Sequence, residues 1–195
     1  MKKKIILLDA GHGGRDPGTV HEHPMITVVE KELNLQIALY TRRYIQKHYH
    51  NEIITLMTRL FDNAMSLKDR CSMADEVEAD LFLSIHCNSR GDAGKYGVEI
   101  ETFYYLDPPD KELALTVQNV LVNGLSEAQT EMPIIYRRVA QANYYVLRHT
   151  NNIPSALVEC GFLCDQEEAL FLSKESTQRM YGKYLGKAIE QFLYK

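Results

Sequence analysis

The feature that most constrains the fold is a short apolar run near the N-terminus that ends at a glycine-rich turn. Ile5 to Leu8 are apolar, and Asp9-Ala10-Gly11-His12-Gly13-Gly14 follows them directly. An apolar run that stops at glycines is typical of a buried strand whose end opens into a site. We therefore expect His12 to be held by a rigid strand and left accessible. Because imidazole is also an ordinary hydrogen-bonding group, His12 alone fits a structural role as well as a functional one.

Strand-like runs alternate with helical patterns along the rest of the chain. The predicted strands are Ile5 to Asp9, Ile53 to Thr58, Leu81 to Ile85, Val98 to Tyr105 and Ala156 to Val158. The predicted helices are a long periodic segment with Glu30 in its first turn, Leu67 to Val77, Lys111 to Leu125, and Glu167 to the C-terminus. This alternation predicts an α/β fold, with a twisted, mostly parallel sheet of about six strands and helices on both faces. No repeat, low-complexity tract or linker divides residues 1–195, so we expect one domain.

Composition and charge exclude several classes of protein. The formal net charge of −4 provides no basic field for nucleic acid, so we expect no nucleic-acid partner. Lys2-Lys3-Lys4 precedes an apolar stretch that Asp9 ends after four residues. A secretory signal peptide needs an apolar region of about 7 to 15 residues, so this stretch predicts a strand instead. No segment approaches the roughly 18 to 20 apolar residues of a membrane span.

Three polar side chains share one predicted position. His12, His86 and Glu159 each follow an apolar strand at its carboxyl end, where open parallel sheets bind their ligands. Glu30 joins them if the loop after the first strand folds back over this edge. Two histidines and one carboxylate form a zinc-ligand set that leaves a position for water, as in catalytic zinc sites. A second carboxylate could then activate that water as general base.

Other interpretations of the candidate ligands remain open on the residues alone. Glu30 could instead favour the positive end of a helix dipole, an interaction worth about 0.3 to 1 kcal/mol. His21 and His23 lie in the same loop and could supply an imidazole. No predicted strand fixes them, so we expect them to be solvated.

Four further polar residues have two interpretations each. Asn34 and Asn88 could orient the ligands from behind, or they could cap a helix and form a turn. Arg59 and Arg70 could bind a carboxylate of the substrate, or they could serve helix and surface packing.

The four cysteines show no CxxC pair and fit neither a zinc finger nor a disulfide framework. We expect them to be small buried side chains or free thiols, which weakly favours reducing conditions. Cys87 and Cys160 are adjacent to His86 and Glu159 in sequence. Because strand neighbours point to opposite faces, we expect both thiols to face the core rather than a metal.

Four segments carry a family resemblance. They are Asp9-Ala10-Gly11-His12-Gly13-Gly14, Glu30-Lys31-Glu32-Leu33-Asn34-Leu35, Ser84-Ile85-His86-Cys87-Asn88 and Leu157-Val158-Glu159-Cys160-Gly161-Phe162-Leu163. In order and spacing they resemble the motifs of the zinc-dependent N-acetylmuramoyl-L-alanine amidases of the AmiC/CwlD-like type, a family that includes phage endolysin domains. The resemblance extends over Met57-Thr58-Arg59 and Ala142-Asn143-Tyr144-Tyr145-Val146-Leu147-Arg148. Four motifs in order are a specific signal.

The resemblance implies an amide hydrolase of the bacterial cell wall. It implies that His12, Glu30 and His86 hold one Zn²⁺ ion and that Glu159 is the catalytic carboxylate. The implied reaction separates the lactyl group of N-acetylmuramic acid from the L-alanine of peptidoglycan or a muropeptide, in an autolysin or endolysin role. The implied place of action is extracellular or periplasmic. Because we predict no signal peptide, three routes stay open: the chain is a trimmed form, it is released by lysis, or it acts inside the cell on muropeptides. The resemblance specifies no activating partner protein.

Two segments carry over least from the family pattern, and two other functions remain open. Cys164-Asp165 replaces the more usual Ser-Asn beyond the proposed base, and residues 125–138 are predicted to form a rim over the substrate cleft. The same metal set would serve a zinc peptidase acting within the stem peptide. A non-catalytic wall-binding relative would keep the sheet and lose ligands or base.

Overall fold

The computed structural model describes residues 2–24, 26–89, 97–106, 108–150 and 152–195. Its strands are β1 (Lys4–Ala10), β2 (Val20–His23), β3 (Ile26–Val29), β4 (Ile53–Met57), β5 (Leu81–Asn88), β6 (Val98–Tyr104), β7 (Ile134–Gln141) and β8 (Ser155–Phe162). Six of them form the central sheet in the order β4-β1-β5-β8-β6-β7, and β2 pairs with β3 in a separate hairpin. Strands β4, β1, β5 and β8 are parallel, whereas β6 runs antiparallel to β8 and parallel to β7. The predicted mostly parallel sheet is confirmed.

The helices cover both faces of this sheet, as predicted. They are α1 (Glu30–Tyr49), α2 (Leu67–Glu76), α3 (Asp110–Glu127), α4 (Tyr145–His149), α5 (Gln166–Ser173) and α6 (Glu175–Leu193). Ile6 and Leu8 of β1 join the larger core with α1, α3 and α6, whereas Leu7 joins a smaller core with α2 and α4. This division follows from strand geometry, because successive side chains of β1 point to opposite faces. Among the described helices, none has the length and apolar character needed to cross a bilayer.

The single C-terminal helix predicted from Glu167 onward is wrong. The structure has two helices there, and Lys174 between them adopts an extended backbone with φ −70° and ψ 129°. Asp165 begins α5 by accepting hydrogen bonds from the backbone N–H groups of Glu167 and Glu168, each at 3.0 Å. Neither glycine nor proline lies at the break, so the usual sequence signal is missing.

One loop prediction also needs correction, and a second segment is more regular than its prediction specified. His21 and His23, predicted to lie in an unstructured loop, belong to β2, which pairs antiparallel with β3. Residues 125–138, predicted as a rim, contain the end of α3 and the first part of β7, the outer strand of the sheet. β2 is short and mostly polar, and Arg137 and Arg138 interrupt the apolar residues of β7, so both strands carry a weak strand signal.

The cysteines follow the prediction, since the described structure places none of the four in a disulfide. Cys87 and Cys160 are buried in the larger core and Cys71 in the smaller one, whereas Cys164 is exposed. The hydroxyl of Tyr181 donates a hydrogen bond of 2.6 Å to the carbonyl oxygen of Cys160. Burial on the core face separates the thiols of Cys87 and Cys160 from the open edge of the sheet.

Candidate active site

Three side chains converge over the carboxyl edge of β1 and β5. One ligand atom from each of His12, Glu30 and His86 lies within 4.8 Å of the others. Nε2 of His12 lies 3.1 Å from Oε1 of Glu30, and Nδ1 of His86 lies 3.0 Å from the same oxygen. The two imidazole rings meet edge to face, with centroids 4.9 Å apart. Two imidazole nitrogens and one carboxylate oxygen form a donor set suited to zinc with a further position open.

The glycine-rich turn makes this convergence possible. A Cβ atom on Gly11 would lie 2.1 Å from Cε1 of His86, and one on Gly18 would lie 2.5 Å from Oε2 of Glu30. Gly18 also has φ +64°, in the left-handed region that favours glycine. His12 itself has φ 60°, which is uncommon for a residue with a side chain and typical of functional sites. Two glycines therefore provide the space that the three candidate ligands occupy.

Neighbouring groups orient the three side chains. Nδ1 of His12 lies 2.8 Å from Oδ2 of Asp16, which leaves Nε2 facing Glu30. Oε2 of Glu30 accepts a hydrogen bond of 2.8 Å from the backbone N–H of Thr19, and Oε1 accepts one of 3.2 Å from Nδ2 of Asn34. Such partners fix the ring orientation and tautomer of metal-binding residues. Asn34 thus lies where the orienting interpretation expects it, and Asp16 is a partner that sequence reasoning missed.

The charges of this cluster depend on one another. Burial alone would raise the pKa of Glu30, but hydrogen bonds and charges from His12 and His86 hold it well below its usual range. Burial alone would lower the pKa of His12, but the hydrogen bond and charge of Glu30, followed by those of Asp16, raise it to about 9. The Glu30 carboxylate is therefore ionised, as a metal ligand must be.

Glu159 lies beside this cluster at the end of β8. It pairs in register with His86 of β5, and it is 8% exposed. Burial raises its pKa to about 7, the charges of Glu30 and Glu101 act in the same direction, and the charge of His86 opposes them. Among the described residues, none forms a hydrogen bond with its buried Oε2 atom. A carboxyl group with a pKa near neutrality can both accept and return a proton.

A cleft of about 580 Å³ opens over His12, His86 and Glu159. Its two walls come from the chain around the start of α2 and around the start of α4, and they consist of Met65, Ser66, Leu67, Tyr144, Tyr145 and Val146. These walls are largely apolar while the floor is polar, as in many sites that bind organic ligands.

Arg59 and Arg70 lie beneath the turn that carries His12. Both are buried, with 2% and 3% of their surface exposed. Arg59 donates to the backbone carbonyls of Ala10 and Gly11 at 2.8 and 2.9 Å. Arg70 donates to Oδ1 of Asp9 at 2.6 Å and to the carbonyl of His12 at 2.8 Å. Most of their donors are used inside the protein, which supports the packing interpretation over a grip on substrate.

Beyond Glu159, a second polar cluster continues across the sheet. Glu101 of β6 pairs in register with Glu159 and is fully buried. Its Oε1 accepts a hydrogen bond of 2.7 Å from Nδ2 of Asn88, and its Oε2 accepts one of 2.7 Å from Nε of Arg138. Asn88 thus contacts Glu101 rather than the three candidate ligands. Sequence reasoning missed Glu101 and Arg138, although strand alternation in β6 could have placed Glu101 on the face of the site.

The group of converging ligand atoms found among the described residues contains neither His21 nor His23. Both lie on the hairpin strand β2, where their side chains are only partly buried. The expectation that they stand apart from the ligand set is in line with this position.

Comparison with known proteins places the chain in a family. Residues 6–191 match the family model described as N-acetylmuramoyl-L-alanine amidase. A sporulation-specific N-acetylmuramoyl-L-alanine amidase of Bacillus subtilis (strain 168) is 32% identical over 188 residues, which are 95% of this chain and 67% of that protein.

Solved structures agree with this placement. The crystal structure of an N-acetylmuramoyl-L-alanine amidase from Clostridium difficile 630 superposes with a TM-score of 0.85 and 33% identity, over 98% of this chain and 97% of that one. The CwlD amidase from Clostridioides difficile, solved in complex with the GerS lipoprotein, superposes with a TM-score of 0.83 and 31% identity, over 98% of both chains. The chain belongs to the N-acetylmuramoyl-L-alanine amidase family.

Proposed function

We propose that this protein hydrolyses the amide bond between the lactyl group of N-acetylmuramic acid and the L-alanine of peptidoglycan, with one zinc ion and a glutamate general base. The observation that carries the proposal is the convergence of His12, Glu30 and His86, which line one pocket together with Glu159. Family membership supports the identity of the bond that is cut. The cluster of side chains supports hydrolysis by a zinc-activated water. We further propose that residues 1–195 act as one catalytic domain on the cell wall.

His12, Glu30 and His86 are the residues that would hold the metal. Their donor atoms lie close enough to share one ion, and Glu30 is ionised beside two imidazoles. When bound, zinc would polarise the lactyl carbonyl and lower the pKa of a water molecule beside it. Asp16 and Thr19 would keep His12 and Glu30 in the orientation that binding requires.

Glu159 would transfer the proton during hydrolysis. In the first step, it accepts a proton from the attacking water while a carbon–oxygen bond forms at the lactyl carbonyl. In the second step, it donates that proton to the alanine nitrogen while the carbon–nitrogen bond breaks. The products are a lactyl carboxylate and a stem peptide with a free amino group. Its burial and its raised pKa suit a group that must release what it accepts.

The bond that is cut can be identified on a defined disaccharide-peptide. We expect zinc-loaded protein to produce a disaccharide with a lactyl carboxylate and a peptide that begins with L-alanine, both identified by mass. A chelator should stop the reaction, and added zinc should restore it. New amino termini within the stem peptide would identify a peptidase instead. No cleavage by protein with full zinc occupancy would identify a non-catalytic wall-binding protein.

A further inference from the structure

A bulge in the outer strand brings two arginines to the face of the active site. Ile100 of β6 pairs with Tyr136 of β7, and Glu101 pairs with Arg138, so Arg137 is the extra residue between them. Bulges of this kind change the direction of a side chain next to an active site. Both arginines contact Glu101, with Nε of Arg137 3.4 Å and Nε of Arg138 2.7 Å from Oε2. Arg138 therefore lies on the same side of the sheet as Glu159.

The guanidinium group of Arg138 is held in place, but not all of its N–H donors form hydrogen bonds with described residues. It lies 5.4 Å from the ring centre of Phe103, and that ring meets the ring of Tyr144 in the cleft wall at 5.2 Å. Its side chain is 40% exposed. Among the residues that the structure describes, none accepts a hydrogen bond from either of its Nη atoms. A planar donor group is thus held in place by Glu101 and Phe103, with its outer edge available.

Arg138 lies at a defined distance from the proposed base. His86, Glu159, Glu101 and Arg138 are successive partners across β5, β8, β6 and β7. Neighbouring strands are about 4.8 Å apart, so the backbone of Arg138 lies about 10 Å from that of Glu159. An extended peptide advances by about 3.5 Å per residue at most. A group on the second residue of the stem peptide would therefore come within reach of the long arginine side chain.

We propose that Arg138 binds a carboxylate on the second residue of the stem peptide and thereby selects substrates that carry it. This inference rests on the proposed amidase function. The planar guanidinium group suits a carboxylate, because its parallel N–H groups match two carboxylate oxygens. Two glutamates, Glu99 and Glu101, balance the charges of Arg137 and Arg138 at this end of the sheet. Recognition therefore depends on directed hydrogen bonds more than on a long-range field.

The test uses two muropeptides that differ only at this group, one with the carboxylate and the other with its primary amide. We expect the unmodified protein to cut the carboxylate form with a kcat/KM about tenfold higher or more, since the amide leaves arginine donors unpaired. Arg138→Gln should reduce that ratio to near one, mainly by slowing cleavage of the carboxylate form. Arg138→Lys should also reduce it, because lysine keeps the charge but not the planar donor pair.

A matched control is Arg179→Gln, since Arg179 is an exposed arginine of α6 paired with Glu175. This control should keep the preference of the unmodified protein. If Arg138→Gln changes kcat/KM equally for both muropeptides, the inference is overturned while the amidase function stands. If the unmodified protein cuts neither muropeptide at the lactyl amide, the proposed function and this inference fall together.

Discussion

His86 and Glu159 are direct partners across β5 and β8, the two central strands of the sheet. A proposed metal ligand and the proposed base thus project from adjacent strand ends into one cleft. Backbone pairing, rather than a mobile loop, holds their separation. Sites built on strands keep their geometry more closely than sites on loops. The separation between the proposed metal ligand His86 and the proposed base Glu159 is therefore set by the sheet itself.

The pKa of Glu159 predicts how activity depends on pH. The base must be ionised, and burial raises its pKa to about 7. We expect kcat/KM to fall as the pH drops through that pKa, which a bound cation would move downward. Glu101→Gln removes a negative neighbour that raises this pKa, so the acid limb should move to lower pH. A pH–rate profile with an unchanged acid limb in this variant would contradict the assignment of the limb to Glu159.

Gly11 should be needed for zinc binding more than for folding. In Gly11→Ala, the added methyl group would lie 2.1 Å from the ring of His86. We expect this variant to lose most of its zinc affinity, measured by titration of metal-free protein. Gly186→Ala is the matched control, because its methyl group would meet the ring of Tyr44, away from the site. That control should lower thermal stability and keep zinc, and equal zinc affinity in both variants would count against the proposed cluster.

Glu168 should make the protein less stable as the pH rises. It is fully buried, and burial raises its pKa from 4.5 to about 8. The folded chain therefore keeps a proton that the unfolded chain releases, so the free energy of unfolding should decrease between pH 4.5 and about 8. Glu168→Gln should remove this part of the decrease, since an amide does not ionise. Urea denaturation at pH 5 and pH 8 measures it, and parallel losses in both proteins would contradict the prediction.

Asp9 should stabilise the turn beneath His12. It accepts hydrogen bonds from Thr58, Arg70 and Ser84 at 2.8, 2.6 and 2.7 Å, and it is 1% exposed. Asp9→Asn leaves the buried charge of Arg70 without its partner, which costs about 3 to 5 kcal/mol in such pairs. Chemical denaturation should show this loss, and the exposed Asp75→Asn should not. A loss no larger than that of Asp75→Asn would mean that the pair is not needed.

The main elements of the fold are predictable because their residues alternate or recur with clear periods. The apolar runs that precede His12 and His86 place these two polar groups at one sheet edge from the order of residues alone. The reversed direction of β6 is not predictable, since a strand's pattern does not encode its partner. The outer strand β7 escapes prediction because Arg137 and Arg138 interrupt its apolar alternation.

The site is predictable where a residue ends a strand and less so where a residue acts through tertiary contact. Asp16 contacts His12 through a turn that only the folded loop defines. Glu101 joins the site only because β6 lies beside β8 in the folded sheet. The roles of Asn34 and Asn88 cannot be separated from the sequence, because the same amide can serve a ligand, a turn or a carboxylate.

One variant separates the proposed zinc-binding role of His12, Glu30 and His86 from the proposed proton transfer by Glu159. Glu159→Gln and its exposed control Glu76→Gln should be measured together for bound zinc and for kcat on a muropeptide. We predict one zinc ion per chain in both, with kcat lower by several orders of magnitude only in Glu159→Gln. Turnover of Glu159→Gln at the rate of the control, or loss of its zinc, would contradict the account.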